Sequence, residues 1–311
     1  MAWGLLDSGN LPPLLCEIDS VFSRVPELDH VGLYVHSLQA AAQQYAQLGF
    51  QLTAQSQHSS QNLQTGAVTL AGVGNRCAML RKGYLELVAI VDPALDPRGV
   101  AVGLQRYEGL HILALRAFEP QTHCAALRAA GFEATLGDLR RTIDLPEGPQ
   151  VARFTQVRTP AAAMPEATLF MLRHETPELL WRAALLEHPN GAQSLDEVLL
   201  LVGDDFAEVV ARYARYLGVA AQHDAQGAYF SLPHGVLRLL THEGLAACFP
   251  GVPAPATSMP VGYVVGVRAL AHTAAWLRAQ GVPFTQNAQQ LWVAPAQAGG
   301  ACVVFRQAAS P

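Results

Sequence analysis

Three side chains in the first half of the chain belong to the types that bind divalent metals. His30 stands at the head of the strand-like run DHVGLYV, and His111 stands near the head of a second such run, GLHILALRA. Glu86 lies in the apolar run GYLELVAIV, where an unpaired carboxylate would cost several kcal/mol to bury. Two neutral imidazoles and one carboxylate from separate strands form the set associated with Fe(II), and they also suit Mn, Ni or Zn.

The two histidines have nearly the same spacing from the helices that follow them. His30 lies 19 residues before Gly49, and His111 lies 20 residues before Gly131. Both glycines end a helix-like segment, so the two histidines are expected at equivalent positions of two repeated units. A histidine at a strand end is also commonly a hydrogen-bonded structural residue, and this interpretation stays open.

The elements that must position these residues recur four times along the chain. Each unit has a strand-like run, a helix-like segment that ends at a glycine, and two or three further strand-like runs. The four glycines are Gly49, Gly131, Gly218 and Gly281, and glycine tolerates the left-handed conformation just past a helix end. In the third unit, the apolar residues of FAEVVARYARYLGV fall on one helical face and indicate core. The pattern predicts an α+β fold.

The repeat resembles the βαβββ modules of the vicinal oxygen chelate superfamily, which includes glyoxalase I, extradiol dioxygenases and bleomycin-resistance proteins. The segments LDHVGLYV, GNRCAMLRKGYLELVAIVDP and HPNGA (residues 188 to 192) are similar to its glyoxalase-like branch, and the middle segment is the most specific. Since two modules pair into one open barrel in that superfamily, the resemblance implies two barrels. We expect a leader over residues 1–26, an active first barrel over 27–192 and a structural second barrel over 193–311.

The resemblance also implies a divalent metal, Fe, Mn, Ni or Zn, at the mouth of the first barrel. Its ligands lie at the head of the first strand and on the last strand of each module, and His30, Glu86 and His111 match those positions. The last strand of the second module has Phe170 and Met171 where glyoxalase I would place a second carboxylate. The resemblance therefore implies a three-ligand centre or a site that has lost its metal.

The third and fourth modules do not repeat the pattern of ligands. The same count from their glycines leads to the neighbourhood of Leu199 and Val261, and neither residue can bind a metal. The second barrel is therefore expected to be structural, or to serve as a lid or a dimer surface.

Five further residues are candidates for catalysis or substrate binding. His58 or His188 could supply a catalytic base, Arg76 could bind an anionic substrate group as a fork of donors, and Tyr84 and Asn190 could contact substrate. Each has an ordinary alternative: a loop residue for His58, a turn for His188 and Asn190, an exposed strand charge for Arg76, and packing for Tyr84.

Composition narrows the partners of the protein. The net charge of -5 comes without a basic run, so nucleic acid is not an expected partner. The chain begins without a recognisable signal peptide, and no apolar run approaches the ~20 residues that span a bilayer, which predicts a cytoplasmic protein away from membranes. The five cysteines are scattered without a CxxC motif and indicate buried small side chains. The high apolar content is compatible with a homodimer.

The leading functional hypothesis is a metal-dependent enzyme that acts on a small substrate with two neighbouring oxygens. The metal would act as a Lewis acid that stabilises an enediolate or enolate, in lyase or isomerase chemistry of the glyoxalase-like kind. A ring-cleaving dioxygenase of the extradiol type is an alternative, because open metal positions would admit O2. A metal-free ligand-binding or resistance protein is another alternative, in which His30, Glu86 and His111 would not converge on one point.

Overall fold

The computed structural model describes residues 25–61, 65–145 and 147–308. Most of the expected leader, residues 1 to 24, lies outside the described residues. The strands of the first half are β1 (Glu27–Tyr34), β2 (Ser56–Gln61), β3 (Val68–Met79), β4 (Tyr84–Ile90), β5 (Gly109–Arg116), β6 (Thr135–Leu145), β7 (Gly148–Arg158) and β8 (Thr168–His174). Those of the second half are β9 (Ala192–Leu201), β10 (Gln222–Asp224), β11 (Gly227–Ser231), β12 (Val236–Leu240), β13 (Met259–Val267), β14 (Thr285–Gln286), β15 (Gln290–Val293) and β16 (Cys302–Gln307).

The helices complete four βαβββ modules. They are α1 (Leu38–Gln47), α2 (Val100–Arg106), α3 (Pro120–Ala129), α4 (Phe206–Leu217), α5 (His242–Cys248) and α6 (Leu270–Ala279). Helices α1, α3, α4 and α6 each follow the first strand of a module, whereas α2 connects the first two modules and α5 connects the last two. The α+β class and the fourfold modular repeat predicted from the sequence are confirmed. None of the described helices is long and apolar enough to cross a membrane.

The strands form two eight-stranded sheets. The first is a closed barrel with the order β1-β4-β3-β2-β6-β7-β8-β5, and the second has the order β10-β11-β12-β9-β13-β16-β15-β14. Strand β1 runs parallel to β4 and antiparallel to β5, and β5 runs parallel to β8. The first strand of each of the two modules therefore lies next to the last strand of its own module.

The main hydrophobic core lies between the sheets and the helices. On α4, Val209, Val210, Tyr213 and Tyr216 are buried on one face, as the helical spacing predicted. The phenol oxygens of Tyr45 and Tyr263 lie 2.6 Å apart in the fully buried contact between the two halves of the chain. Fully burying one large apolar side chain stabilises a fold by about 1.5 to 3 kcal/mol, so this shared core holds the two halves together.

The four described cysteines are unbridged. Cys77, Cys124 and Cys302 are buried, and Cys248 is partly buried. The expectation of buried small side chains is confirmed for three of them, whereas Cys16 lies outside the described residues.

Candidate active site

The interior of the first barrel holds a cavity of about 400 Å³. Its polar lining includes His30, His58, Tyr84, Glu86, Arg98, Arg141, Gln156 and Arg158. Its apolar lining includes Val73, Val88, Val100, Ile112, Leu139, Phe154, Phe170 and Leu172. A larger cleft of about 1040 Å³ lies elsewhere on the surface, lined by residues such as Glu27, Arg81, Trp181 and His234. We take the smaller cavity as the candidate site because it collects the imidazoles and the buried carboxylate.

Glu86 is the charged centre of this cavity. Its neighbour on β3, Asn75, donates an amide hydrogen bond to Oε1, and Nη1 of Arg141 lies 3.8 Å from the same oxygen. The Nε2 atom of His58 lies 3.7 Å from Oε1, and that of His30 lies 3.8 Å from Oε2. Burial would raise the pKa of Glu86, but His30, His58, Arg141 and Asn75 outweigh burial and lower it. Glu86 is therefore ionised at neutral pH.

His30 is oriented by the residue that precedes it. Its Nδ1 lies 2.7 Å from Oδ1 of Asp29, which is completely buried. Oδ2 of Asp29 also lies 3.0 Å from Nε2 of His174 and accepts a hydrogen bond from Nε of Arg116 at 3.1 Å. Burial would raise the pKa of Asp29, but His174 and His30 hold it well below 3.8. With Asp29 ionised, Nδ1 of His30 carries the proton and Nε2 faces the cavity.

Tyr84 and His58 complete the group around His30. The Tyr84 ring stacks on His30 with centroids 4.1 Å apart, and its hydroxyl lies 3.4 Å from Nε2. Burial, with Asp29 and Glu86 nearby, raises the Tyr84 pKa far above 10, so the phenol keeps its proton. Burial lowers the pKa of His58 to about 4 despite the nearby Glu86, so this imidazole is neutral at pH 7.

The structure therefore brings four of the eight predicted site residues to one cavity: His30, His58, Tyr84 and Glu86. The other four lie away from the cavity lining: Arg76, His111, His188 and Asn190. Each of these four is held by a contact that explains where its side chain points.

His111 lies one residue away from the position that corresponds to His30. Between β1 and β5, Ile112 pairs with Gly32 and Leu110 pairs with Leu33, so His111 is the extra residue of a bulge. Asp29 is the extra residue of the matching bulge on β1. A bulge re-aims the side chain. The equivalence expected from the glycine count is thus offset by one, with His111 matching Asp29 and Ile112 matching His30.

The side chain of His111 packs between two tyrosine rings and makes a hydrogen bond to the backbone. Its ring stacks against Tyr107 and Tyr34, with centroids 4.1 and 4.6 Å away. Its Nε2 lies 2.9 Å from the Tyr107 carbonyl oxygen. Burial lowers its pKa to about 4, although the hydrogen bond to Tyr107 raises it. His111 is therefore not grouped with His30 and Glu86.

His188 and Asn190 join the two halves of the chain. Nδ1 of His188 accepts the Gln51 N–H at 3.0 Å, and its Nε2 lies 2.8 Å from the Met79 carbonyl oxygen. The Asn190 amide donates to the Leu48 carbonyl at 3.0 Å. Both ring nitrogens and the amide are occupied by backbone groups, which favours the turn interpretation of this segment.

Arg76 faces the opposite side of its strand from Asn75. Its Nε donates to the Thr53 carbonyl at 2.8 Å. Side chains alternate along a strand, so Asn75 and Cys77 point into the barrel while Arg76 points out. The arginine that contacts the buried carboxylate is Arg141 on β6, 7% exposed.

The same register identifies corresponding positions in the second sheet. Asp196 is the bulge residue between β9 and β13, so Glu197 corresponds to His30. Because Leu199 pairs with Arg238 as Gly32 pairs with Glu86, Arg238 corresponds to Glu86. The residue predicted from the count, Leu199, lies two positions beyond Glu197. Glu197 forms an ion pair with Arg238, at 2.5 Å, which gives these positions a structural role.

The three predicted metal ligands do not come together, because His111 does not face the cavity that His30 and Glu86 line. Ile112 and Phe170 occupy the second-module positions that correspond to His30 and Glu86. Oε1 of Glu86 accepts the Asn75 amide and lies beside the buried cation Arg141, so the charge of Glu86 is compensated by protein groups. Within the described part of the chain, no group of three His, Cys, Asp or Glu side chains is arranged to hold a metal ion.

Sequence reasoning missed three residues of this group: Asp29, Asn75 and Arg141. A signal existed for two of them. Asp29 directly precedes His30 in the sequence. Asn75 lies two residues before Cys77, so the two side chains point to the same face of the strand. Arg141 gave no local signal, because it reaches Glu86 only through the pairing of β2 with β6, which joins the two modules.

Comparison with known proteins identifies the class of this chain. The family model described as a glyoxalase-like domain matches residues 28–217, more than half of the chain, and the chain belongs to this family. This confirms the predicted vicinal oxygen chelate membership. No curated protein matches the sequence.

Solved structures share the fold at low sequence identity. A hypothetical protein from Staphylococcus aureus has a TM-score of 0.63 and 10% identity, over 91% of this chain and 100% of that chain. A triple mutant of 4-hydroxymandelate synthase from Streptomyces coelicolor has a TM-score of 0.54 and 12% identity, over 93% and 94%. A xylose isomerase-like TIM barrel/4-hydroxyphenylpyruvate dioxygenase fusion protein has a TM-score of 0.55 and 13% identity, over 92% of this chain and 49% of that chain. At these identities the likeness shows the fold alone.

Proposed function

We propose that the first barrel is the active barrel of an enzyme that transfers a proton on a small oxygenated substrate by lyase or isomerase chemistry. The observation that supports it is the contact of Asp29 with Nδ1 of His30, which leaves Nε2 facing the cavity beside Glu86. The same contact would suit a metal ligand or a general base. The surroundings of Glu86 favour His30 as a general base over His30 as a metal ligand, because Arg141 and Asn75 already compensate the charge of Glu86.

In the proposed step, Nε2 of His30 takes a proton from a carbon next to a carbonyl group. The electron pair of the broken C–H bond moves into the new C=C bond of an enolate, and the carbonyl oxygen becomes negative. Arg141 and the Tyr84 phenol donate hydrogen bonds to that oxygen. In an isomerase, a hydroxyl group on the deprotonated carbon gives its proton to the negative oxygen and becomes the new carbonyl group, while His30 returns its proton to the former carbonyl carbon. In a lyase, the enolate re-forms the carbonyl group and expels a leaving group from the β-carbon, and this group departs with its electron pair and takes the proton from His30.

Two carboxylates flank the imidazole of His30. Asp29 lies 2.7 Å from Nδ1 and Glu86 lies 3.8 Å from Nε2. In the proposed step, Asp29 holds the ring in place, and Glu86 lies beside the nitrogen that takes the proton.

Proton exchange with solvent tests this function directly. The protein is incubated in D2O with 2-oxo acids and 2-hydroxy ketones, with and without EDTA, and NMR follows loss of the α-proton signal. We expect exchange that EDTA does not abolish and that His30→Gln reduces by at least about 100-fold, within the usual contribution of an acid–base residue. The control is His36→Gln, an exposed histidine outside the cavity.

The result can refute the proposal in three ways. Wild-type protein without exchange on any substrate, exchange that survives His30→Gln, or exchange that EDTA abolishes would each contradict it. Ligand binding without any exchange would favour the metal-free binding protein, for which the apolar lining of the cavity is the supporting observation.

A further inference from the structure

Two arginines of the cavity lining belong to a group separate from Glu86. Arg98 lies in the segment between β4 and α2, and Arg158 ends β7. Arg158 is exposed and Arg98 is partly exposed, which places the pair at the mouth. Within the described ranges, neither guanidinium has a carboxylate oxygen within the 4.0 Å of an ion pair.

Local contacts hold both arginines in place. Arg98 has a φ of +50°, in the left-handed region that a non-glycine residue seldom adopts. Its backbone N–H donates to Oδ1 of Asp96 at 2.8 Å, which fixes the turn. The Nε of Arg158 donates to Oε1 of Gln156 at 2.8 Å, and Gln156 is buried. The Arg158 guanidinium is therefore positioned before any ligand arrives, and the turn fixes the backbone from which the Arg98 side chain extends.

The electrostatics of the pair favour an anion. Burial lowers the pKa of Arg98, against the opposing effect of Asp96. Partial removal from water and the positive charge of Arg98 together lower the pKa of Arg158. Two cations that repel each other at the mouth of one cavity are both stabilised when a negative group binds between them.

The remainder of the cavity wall is mostly apolar. It includes Val88, Val100, Ile112, Leu139 and Phe154. A cavity of about 400 Å³ falls in the size range of small-molecule sites. The wall therefore suits the apolar body of a ligand whose charged group stays at the mouth.

We propose that the ligand of this cavity is an organic oxyanion with an apolar body, whose carboxylate or phosphoryl group is bound by Arg98 and Arg158. This inference rests on the proposed function in that it concerns the same cavity, and it adds the class of substrate. Nε and Nη2 of Arg158 already donate to Oε1 of Gln156, so the remaining N–H donors of the two guanidinium groups would bind either oxyanion.

Titration calorimetry on the full chain tests the proposal. The probes are 3-phenylpropanoate, phenyl phosphate and the neutral 3-phenylpropanamide. The variants are Arg98→Gln and Arg158→Gln, and the control is Arg153→Gln, an exposed arginine on the same strand as Arg158 that does not line the cavity. Thermal unfolding confirms that each variant is folded.

We expect at least one anionic probe to bind the wild type at least tenfold more tightly than the amide. Arg98→Gln and Arg158→Gln should each weaken that anion at least tenfold, with the Arg153→Gln control unchanged. The anion with the higher affinity distinguishes a carboxylate site from a phosphoryl site. Equal affinity for the amide, unchanged anion binding in both variants, or no binding of either anion at millimolar concentration would overturn the proposal.

Failure of this inference and failure of the proposed function can be told apart. Anion binding that depends on the two arginines and persists in His30→Gln supports the inference even if no proton exchange is found. Proton exchange that depends on His30, on substrates whose binding ignores both arginines, would refute the inference and leave the function standing.

Discussion

Replacement of Asp29 by Asn tests the charge relationship that orients His30. The carboxylate is fully buried and contacts three side chains: Nδ1 of His30 at 2.7 Å, Nε2 of His174 at 3.0 Å and Nε of Arg116 at 3.1 Å. Asn keeps the size and one accepting oxygen but removes the charge. Arg116 then loses its buried counter-ion.

The expected loss of stability follows from these contacts. Removing one partner of a buried ion pair costs about 3 to 5 kcal/mol. We take about 3 kcal/mol, because Asn still accepts one hydrogen bond and the Arg116 side chain is 32% exposed, where water replaces part of the lost interaction. With about 2 to 4 °C per kcal/mol for large domains, the midpoint of thermal unfolding should fall by about 6 to 12 °C.

The pH dependence provides a second measure of the same charge. The folded pKa of Asp29 is well below 3.8, so the unfolded chain binds its proton first as the solution is acidified. The stabilisation by Asp29 is therefore complete above about pH 5 and is lost as pH falls through the folded pKa. Asp29→Asn should lose less stability than the wild type between pH 5 and pH 3.

The assay is thermal and urea unfolding from pH 3 to pH 8, with Asp196→Asn as a matched control. Asp196 is the corresponding bulge residue of the second sheet, but burial raises its pKa, so its charge does not stabilise the fold. The control should lose no more than about 1 kcal/mol. Equal losses of stability in the two variants would refute the reasoning about Asp29. So would a loss of stability between pH 5 and pH 3 that is as large in Asp29→Asn as in the wild type.

Two further predictions concern the rest of the cavity. Elemental analysis of protein purified without chelator or nickel affinity should find no stoichiometric Fe, Mn, Ni or Zn, because Arg141 compensates Glu86; close to one equivalent of metal, lost in a His30→Ala variant, would show that the donor set does fit a metal. The imidazole of His58, whose pKa burial lowers to about 4, should stay neutral in ¹⁵N NMR from pH 8 to pH 5. Since its folded pKa is below the unfolded value of about 6.5, His58 should reduce stability as pH falls from about 7 toward 4, and titration near pH 6.5 would contradict its burial.

The fold was predictable from the sequence because its signals are local and repeated. A helical stripe followed by a glycine occurs once in each module, and Gly49 and Gly131 do adopt positive φ angles of 89°. Glu86 was found because it is a polar residue in an otherwise apolar strand, and His30 was found because it stands at the head of an apolar run at a repeated distance from a glycine. Such a residue must face either a partner or a cavity, since burying it alone is too costly.

Only the tertiary structure decided which neighbours those residues meet. The bulges at Asp29 and His111 shift the register by one residue, and a shift of one residue moves a side chain to the other face of a strand. Counting from a glycine cannot detect such a bulge. Arg141 reaches Glu86 through the pairing of strands from different modules, which depends on closure of the barrel. The sequence by itself thus determined the modules and the buried charge, whereas long-range strand pairing determined that an arginine and an asparagine compensate that charge.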